Sequence, residues 1–293
     1  MIFRPFVSVI IPTLDRPACL SVVLQGLFYQ TYDNFEIIVV DQGQEYLATK
    51  HNFFSLSPRP LQWIRDSGKG AARARNIGLK HAKGEIFIGL EDDIIITRKT
   101  FVYSYVAAYH DSKVGGISGR VIESKHKHYG GRVGEIHPLL CVPRGQGDGL
   151  QRQYIQTVKG GNMSFRKDLL ERVGGFDERF GRPSLYEETD VSLKVRRLGY
   201  GLFFLPDAEV VHLSAPVGGQ RYAFDSGQFR FIAYRDRVLL FRNNYPRWRF
   251  PLFWVTNVLA ALLPITRLDG RSVKSALAGL AEGMRLFGKY KND

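Results

Sequence analysis

The sequence predicts an α/β protein built on a mostly parallel sheet flanked by helices. Apolar runs rich in β-branched residues recur at 7–11, 35–40 and 86–90. Segments of helical periodicity separate them, and strand-helix-strand alternation is the pattern of right-handed crossovers in a parallel sheet. Thr13, Asp41 and the triplet Glu91-Asp92-Asp93 follow the three runs closely. Ligands of such sheets bind beyond the carboxyl ends of the strands, where these residues fall.

In chain order, residues 7–11 read as a buried strand ending at Pro12. Pro17 opens a helix with the apolar face Leu20, Val23, Leu24, Leu27 and Phe28, and Asp15 is its expected cap. Residues 35–40 form a second buried strand, closed by Asp41-Gln42-Gly43. After a short strand at 61–64, SGKGAARARNIGLKHAKG reads as a helix stopped by Gly84. It lacks the G-x-x-x-x-G-K-[ST] spacing of a phosphate loop. The strand at 86–90 then runs directly into the acids. From about 97 to 225 the periodicity is short and mixed, as expected for a sheet extension carrying loops. Residues 1–225 are therefore expected to form one domain, with halves of about 1–95 and 96–225. Residues 226–293 read as a basic and apolar helical extension.

The chain has 293 residues, and 44% of them are hydrophobic, enough for a substantial core. Lys and Arg outnumber Asp and Glu 41 to 28, a net charge of +13 that calls for an anionic partner: nucleotide phosphate, nucleic acid or acidic lipid. In a nucleic-acid-binding protein the arginines should be interleaved along a groove. Here seven arginines gather between Arg221 and Arg249, just before the uncharged run 250–265, so no nucleic-acid partner is expected. That run contains Pro251 and Pro264 and is shorter than the ~20 apolar residues a membrane span needs. It is expected to lie in a membrane interface, with arginines on headgroups and Phe250, Phe253 and Trp254 in the boundary. The competing reading is a helical subdomain packed on the core. Two cysteines, Cys19 and Cys141, and an apolar start too short for a signal peptide point to a cytoplasmic location. Membrane contact would then be peripheral, on the inner face.

Three adjacent carboxylates repel one another and resist burial. They make sense as a solvated turn, or as ligands of Mg²⁺ or Mn²⁺, which favour carboxylate oxygens and share their sphere with substrate phosphates. Glu187, Glu188 and Asp190 open a helix whose apolar face is Val191, Val195 and Leu198. They complement the helix dipole, or one of them is a general base. His212 ends an apolar strand as a core residue or as an imidazole completing an oxygen-rich metal site. Arg73 and Arg75 lie on a wet helix face or contact phosphate or base. The histidines of HKH at 126–128 read as a solvated loop.

Taken in order, VSVIIPTLDRP, FEIIVVDQG, ARNIGLKHAKGEIFIGLEDDI, GGNMSFRKDLLERVGGFDERF, EETDVSLKVRRLGYG and PDAEVVH resemble the successive signatures of family 2 glycosyltransferases of GT-A fold. The resemblance covers about 5–215. It implies a metal-dependent, inverting transfer of sugar from a UDP-, GDP- or dTDP-sugar to the hydroxyl of a saccharide or lipid-linked acceptor. Thr13, Asp41, Asp92 and Arg73 or Arg75 would contact the nucleotide. Asp93 would be the principal metal ligand, with His212 completing the site and Glu91 standing where the family often has Asp. Glu187-Glu188 matches a Glu-Asp motif whose second acid is the base, so Glu188 takes that part here. Gly161, Asn162 and the GGFDERF segment would line the acceptor side. The rival enzyme class is a nucleotidyltransferase, which should carry a glycine-rich phosphate loop where this chain has IIPTLDRP. A third reading is a transferase fold that only binds sugar nucleotides.

Overall fold

The computed structural model describes residues 3–44, 53–68, 70–123, 132–145, 147–181, 183–215, 218–219, 225–263 and 270–289. The HKH tripeptide lies outside them. The first half contains β1 (Val7–Thr13), α1 (Pro17–Phe28), β2 (Phe35–Asp41), β3 (Leu61–Arg65), α2 (Ala71–His81) and β4 (Ile86–Leu90). β5 (Ile94–Ile96), α3 (Phe101–Ala108) and β6 (Val114–Glu123) follow, then the two-residue strands β7 (Glu135–Ile136) and β8 (Pro143–Arg144). β9 (Gln153–Ile155), β10 (Asn162–Arg166), α4 (Lys167–Arg172), α5 (Glu187–Arg197) and β11 (Gly201–His212) complete the sheet region. Among the described residues, α6 (Ser226–Asn244), α7 (Phe250–Leu262) and α8 (Gly270–Lys289) follow.

The main sheet has the order β3-β2-β1-β4-β10-β6-β11-β5, with β9 also paired to β11. The strands from β3 to β4 are parallel, as the alternation predicts. β10 runs antiparallel to both β4 and β6, which makes the sheet mixed. Successive residues of a strand face opposite sides, and both sides are buried. Val7, Val9 and Ile11 pack in one layer, with Leu20, Val23 and Leu24 of α1. Ile10 packs in the other, with Ala72, Ala74 and Leu79 of α2.

Two local expectations change. β1 continues through Pro12 to Thr13. Pairing with β4 ends at Ile10, so Pro12 has β2 as its single neighbour, an edge setting that proline tolerates. Asp15 does not cap α1. Its φ is 53°, and its carboxylate accepts the Gln44 N–H at 2.8 Å.

The C-terminal helices pack on the sheet domain. Asn243 and Asn244 of α6 donate to Asp190 Oδ1 of α5 at 3.0 and 2.6 Å. Tyr186 and Leu193 pack against Leu239 and Leu240. The expected boundary aromatics are corrected: Phe253 is buried, and Phe250 and Trp254 pack against the same cluster of Tyr234, Val238 and Phe241. Trp248, Leu252, Val255, Leu259 and Leu263 are instead the exposed apolar residues here. Among the described residues, no helix is long and apolar enough to cross a membrane.

Candidate active site

A cleft of about 340 Å³ opens at the carboxyl ends of β1 and β4, within the usual range for small-molecule sites. Thr13, Arg75, Glu91, Asp92, Asp93, Gly161, Glu187, Glu188 and His212 all line it. The topology brings them together, because β1, β4 and β11 end on the same side of the sheet.

The three acids have different surroundings. Asp92 is buried and accepts hydrogen bonds from Thr13 Oγ1 at 2.8 Å and Arg16 Nη1 at 3.1 Å. Burial pushes its carboxyl up to about 6, against the pull of Arg16 and Thr13. Asp93 Oδ2 takes the Ala215 N–H at 3.1 Å and pairs with Arg16 at 3.0 Å, while Oδ1 lies 3.4 Å from His212 Nε2. Glu91 Oε2 is 3.2 Å from the same nitrogen. Gly161 makes room for that carboxylate: a Cβ there would come within 2.9 Å of Glu91 Oε2.

Glu91, Asp93 and His212 each offer one ligand atom, and these atoms lie within 4.8 Å of one another. Two carboxylates and one imidazole offer three ligands to a divalent cation. As the structure stands, His212 is pushed up to about 11. Burial works against its charge, but hydrogen bonds to Asp93, Glu123 and Glu91 outweigh it.

Across the cleft, Glu187 and Glu188 begin α5. Tyr186 just before them adopts a left-handed conformation, φ 71°, of the kind that concentrates at active sites. Glu187 is paired with Arg75, which also donates to the Gly160 carbonyl at 3.2 Å. Glu188 is half-buried and raised to about 8, by burial first and by the adjacent negative Glu187. The ionised form of such a carboxyl is a stronger base than an ordinary carboxylate, and it becomes the major form only above about pH 8.

Three expected site residues lie elsewhere. Asn162 is fully buried. It donates to the carbonyls of Arg120 and Ala208 and accepts from Tyr105 Oη, so its amide holds the strands together, outside the cleft. Asp41 is buried outside the cleft, accepting from the Gly43 N–H at 2.9 Å and Trp63 Nε1 at 3.3 Å. Its neighbour Gln42 lines the cleft instead. Arg73 binds Asp66 through Nε and Nη2 at 3.0 Å each, also outside the cleft. The GGFDERF segment is likewise tied away: the Asn76 side chain donates to the Phe176 carbonyl at 2.7 Å and accepts its N–H at 2.8 Å.

Arg16, Glu123 and Lys159 line the cleft and were not singled out by the sequence. Arg16 stands in the quoted DRP, but nothing local says that it reaches the acids 76 residues away. Glu123 is visible only through topology, since β6 pairs in parallel with β11 and sets Glu123 opposite His212.

The family model for glycosyl transferase family 2 matches residues 8–174. The chain belongs to glycosyl transferase family 2. Among curated relatives of this family 2 chain, the hyaluronan synthase of Pasteurella multocida is 31% identical over 67% of this chain and 23% of its own length. Probable glycosyltransferase YdaM of Bacillus subtilis is 27% identical over 70% of this chain and 50% of its own. The chain thus spans half or less of the length of these relatives. Two solved structures share its GT-A fold. A mannosyltransferase from Pyrobaculum calidifontis, in complex with GDP-Man and Mn²⁺, aligns with a TM-score of 0.61 at 18% identity, covering 99% of this chain and 89% of that one. GalNAc-T7 with UDP, GalNAc and Mn²⁺ aligns at 0.66 and 15% identity, covering 99% and 57%.

Proposed function

We propose that this family 2 chain is a metal-dependent, inverting glycosyltransferase that moves a sugar from a nucleotide-diphosphate donor to an acceptor hydroxyl. One observation carries the reading: Glu91, Asp93 and His212, whose ligand atoms lie within 4.8 Å of one another, and the carboxyl of Glu188 line the same cleft. The metal would be Mn²⁺ or Mg²⁺, and the two structural neighbours solved with Mn²⁺ and nucleotide or nucleotide sugar support that choice. When bound, it supplies Lewis-acid neutralisation of the diphosphate leaving group.

The chain's own residues do the rest. Thr13, Asp92 and Gln42 line the nucleotide end of the cleft. Arg16, tied to Asp92 and Asp93, offsets part of their charge. Arg75 and Glu187 keep the start of α5 against the Gly160 turn. Glu188 takes the acceptor hydroxyl proton as that oxygen bonds to the anomeric carbon and the bond to the β-phosphate oxygen breaks. A single displacement of this kind inverts the configuration. The exposed stripe on α7 beside Arg247 supports peripheral membrane contact and so a lipid-linked or membrane-proximal acceptor, with work on the inner face of the cell membrane.

A thermal-shift and transfer screen with UDP-, GDP- and dTDP-sugars tests this. Stabilisation and turnover that need Mn²⁺ or Mg²⁺ and disappear with EDTA are expected. Equal stabilisation by nucleoside triphosphates, with no sugar transfer, would favour a nucleotidyltransferase.

A further inference from the structure

We infer that Glu123 is a positioning residue that presents the imidazole of His212 to the metal, an inference resting on the metal reading above. β6 and β11 are parallel, and their register sets Glu123 directly beside His212. Glu123 Oε2 lies 2.7 Å from His212 Nδ1. An ionised carboxylate only accepts, so the proton of a neutral His212 belongs on Nδ1. With a cation bound, Nε2, 3.2 and 3.4 Å from the carboxylates of Glu91 and Asp93, would be the nitrogen left free to ligate it.

The other oxygen of Glu123 is fixed as well. Lys159 Nζ donates to Oε1 at 2.8 Å, which sets the rotation of the carboxylate. With one oxygen on an ammonium and the other on the imidazole, Glu123 is ill suited to binding a cation itself. It is suited to fixing the tautomer and raising the basicity of the ligand. Partners of metal-bound histidines in this position typically account for about 10–100-fold in metal affinity.

The test is Mn²⁺ binding to the full chain without donor, by calorimetry or electron paramagnetic resonance. E123A is expected to weaken Mn²⁺ about 10–100-fold while melting cooperatively. H212A should remove that effect, so that E123A/H212A binds as H212A does. E123Q provides the same reading if E123A does not fold. Gln has one carbonyl oxygen for two donors, and with Lys159 holding it the amide NH₂ turns to Nδ1 and forces the wrong tautomer. E123Q should therefore bind Mn²⁺ more weakly, and K159M in that background should recover part of the loss. Parent-like affinity in E123A or E123Q, or independent losses in the double variant, would overturn the inference. If the parent itself binds no Mn²⁺, the metal reading fails instead, so the two failures are distinct.

Discussion

Arg75 of α2 and Glu187 of α5 form an ion pair in which each side chain is only 4% exposed. The two helices come from opposite halves of the sheet, and both members of the pair line the cleft. Removing one partner of such a pair leaves a buried charge uncompensated, which typically costs about 3–5 kcal/mol. R75A should lower the urea-unfolding free energy by that order. E187Q should cost less, because its amide still accepts from Arg75. Equal stability of R75A and the parent would show that the pair is not structural.

Glu188 makes a different prediction. With its carboxyl near 8, the fraction able to accept a proton grows tenfold per pH unit below that value and saturates above it. Turnover at saturating donor should rise from pH 6 and level off above about 8. E188Q should lose about 10²–10⁴-fold in turnover while keeping donor affinity. Parent-like turnover in E188Q would remove Glu188 as the base.

The same shift has a stability consequence of definite sign. The Glu188 carboxyl lies above the ordinary 4.5 because burial favours the neutral form. Its contribution to folding is complete below about 4.5 and is lost as pH rises through about 8. E188Q abolishes that loss. Between pH 5 and pH 9 the melting temperature of the parent should therefore drop more than that of E188Q, by about 2 °C or more. Parallel melting curves for the two proteins would contradict the burial argument.

Much of the half at about 1–95 was legible in sequence because its strands are short, two-sided apolar runs. These give 86–90 directly, and 35–40 and 61–64 to within one residue at their ends. The same periodicity showed only the end of β11, before His212, and could not show β6: their twelve and ten residues mix glycines and charges and pair over long sequence separations. Position at a strand end led to the cleft-lining Thr13, Glu91, Asp92, Asp93 and His212, but also to Asp41, which lies outside the cleft. Asn162 was not legible, because a polar residue after two glycines reads as a loop contact, and only the positions of Arg120, Ala208 and Tyr105 show that its amide holds the strands together. Phe253 was misplaced for a related reason: composition gives an amphipathic segment but not which face finds a partner.

The face of α7 that stays exposed gives a fourth prediction. Leu259 of α7 and Trp248, in the turn just before it, are 59% and 79% exposed. W248E/L259E should reduce co-sedimentation with vesicles containing anionic lipid, with little change in melting temperature. Undiminished co-sedimentation would assign this surface to something other than a membrane.

The central claim is that Glu91, Asp93 and His212 hold the divalent cation that sugar transfer requires. Mn²⁺ titration of the parent and D93A, each with and without UDP, GDP and dTDP, tests it most directly. The parent should bind Mn²⁺, more tightly with its cognate nucleotide, and D93A should lose both the binding and the nucleotide effect. Unchanged Mn²⁺ affinity and nucleotide coupling in D93A would contradict the account.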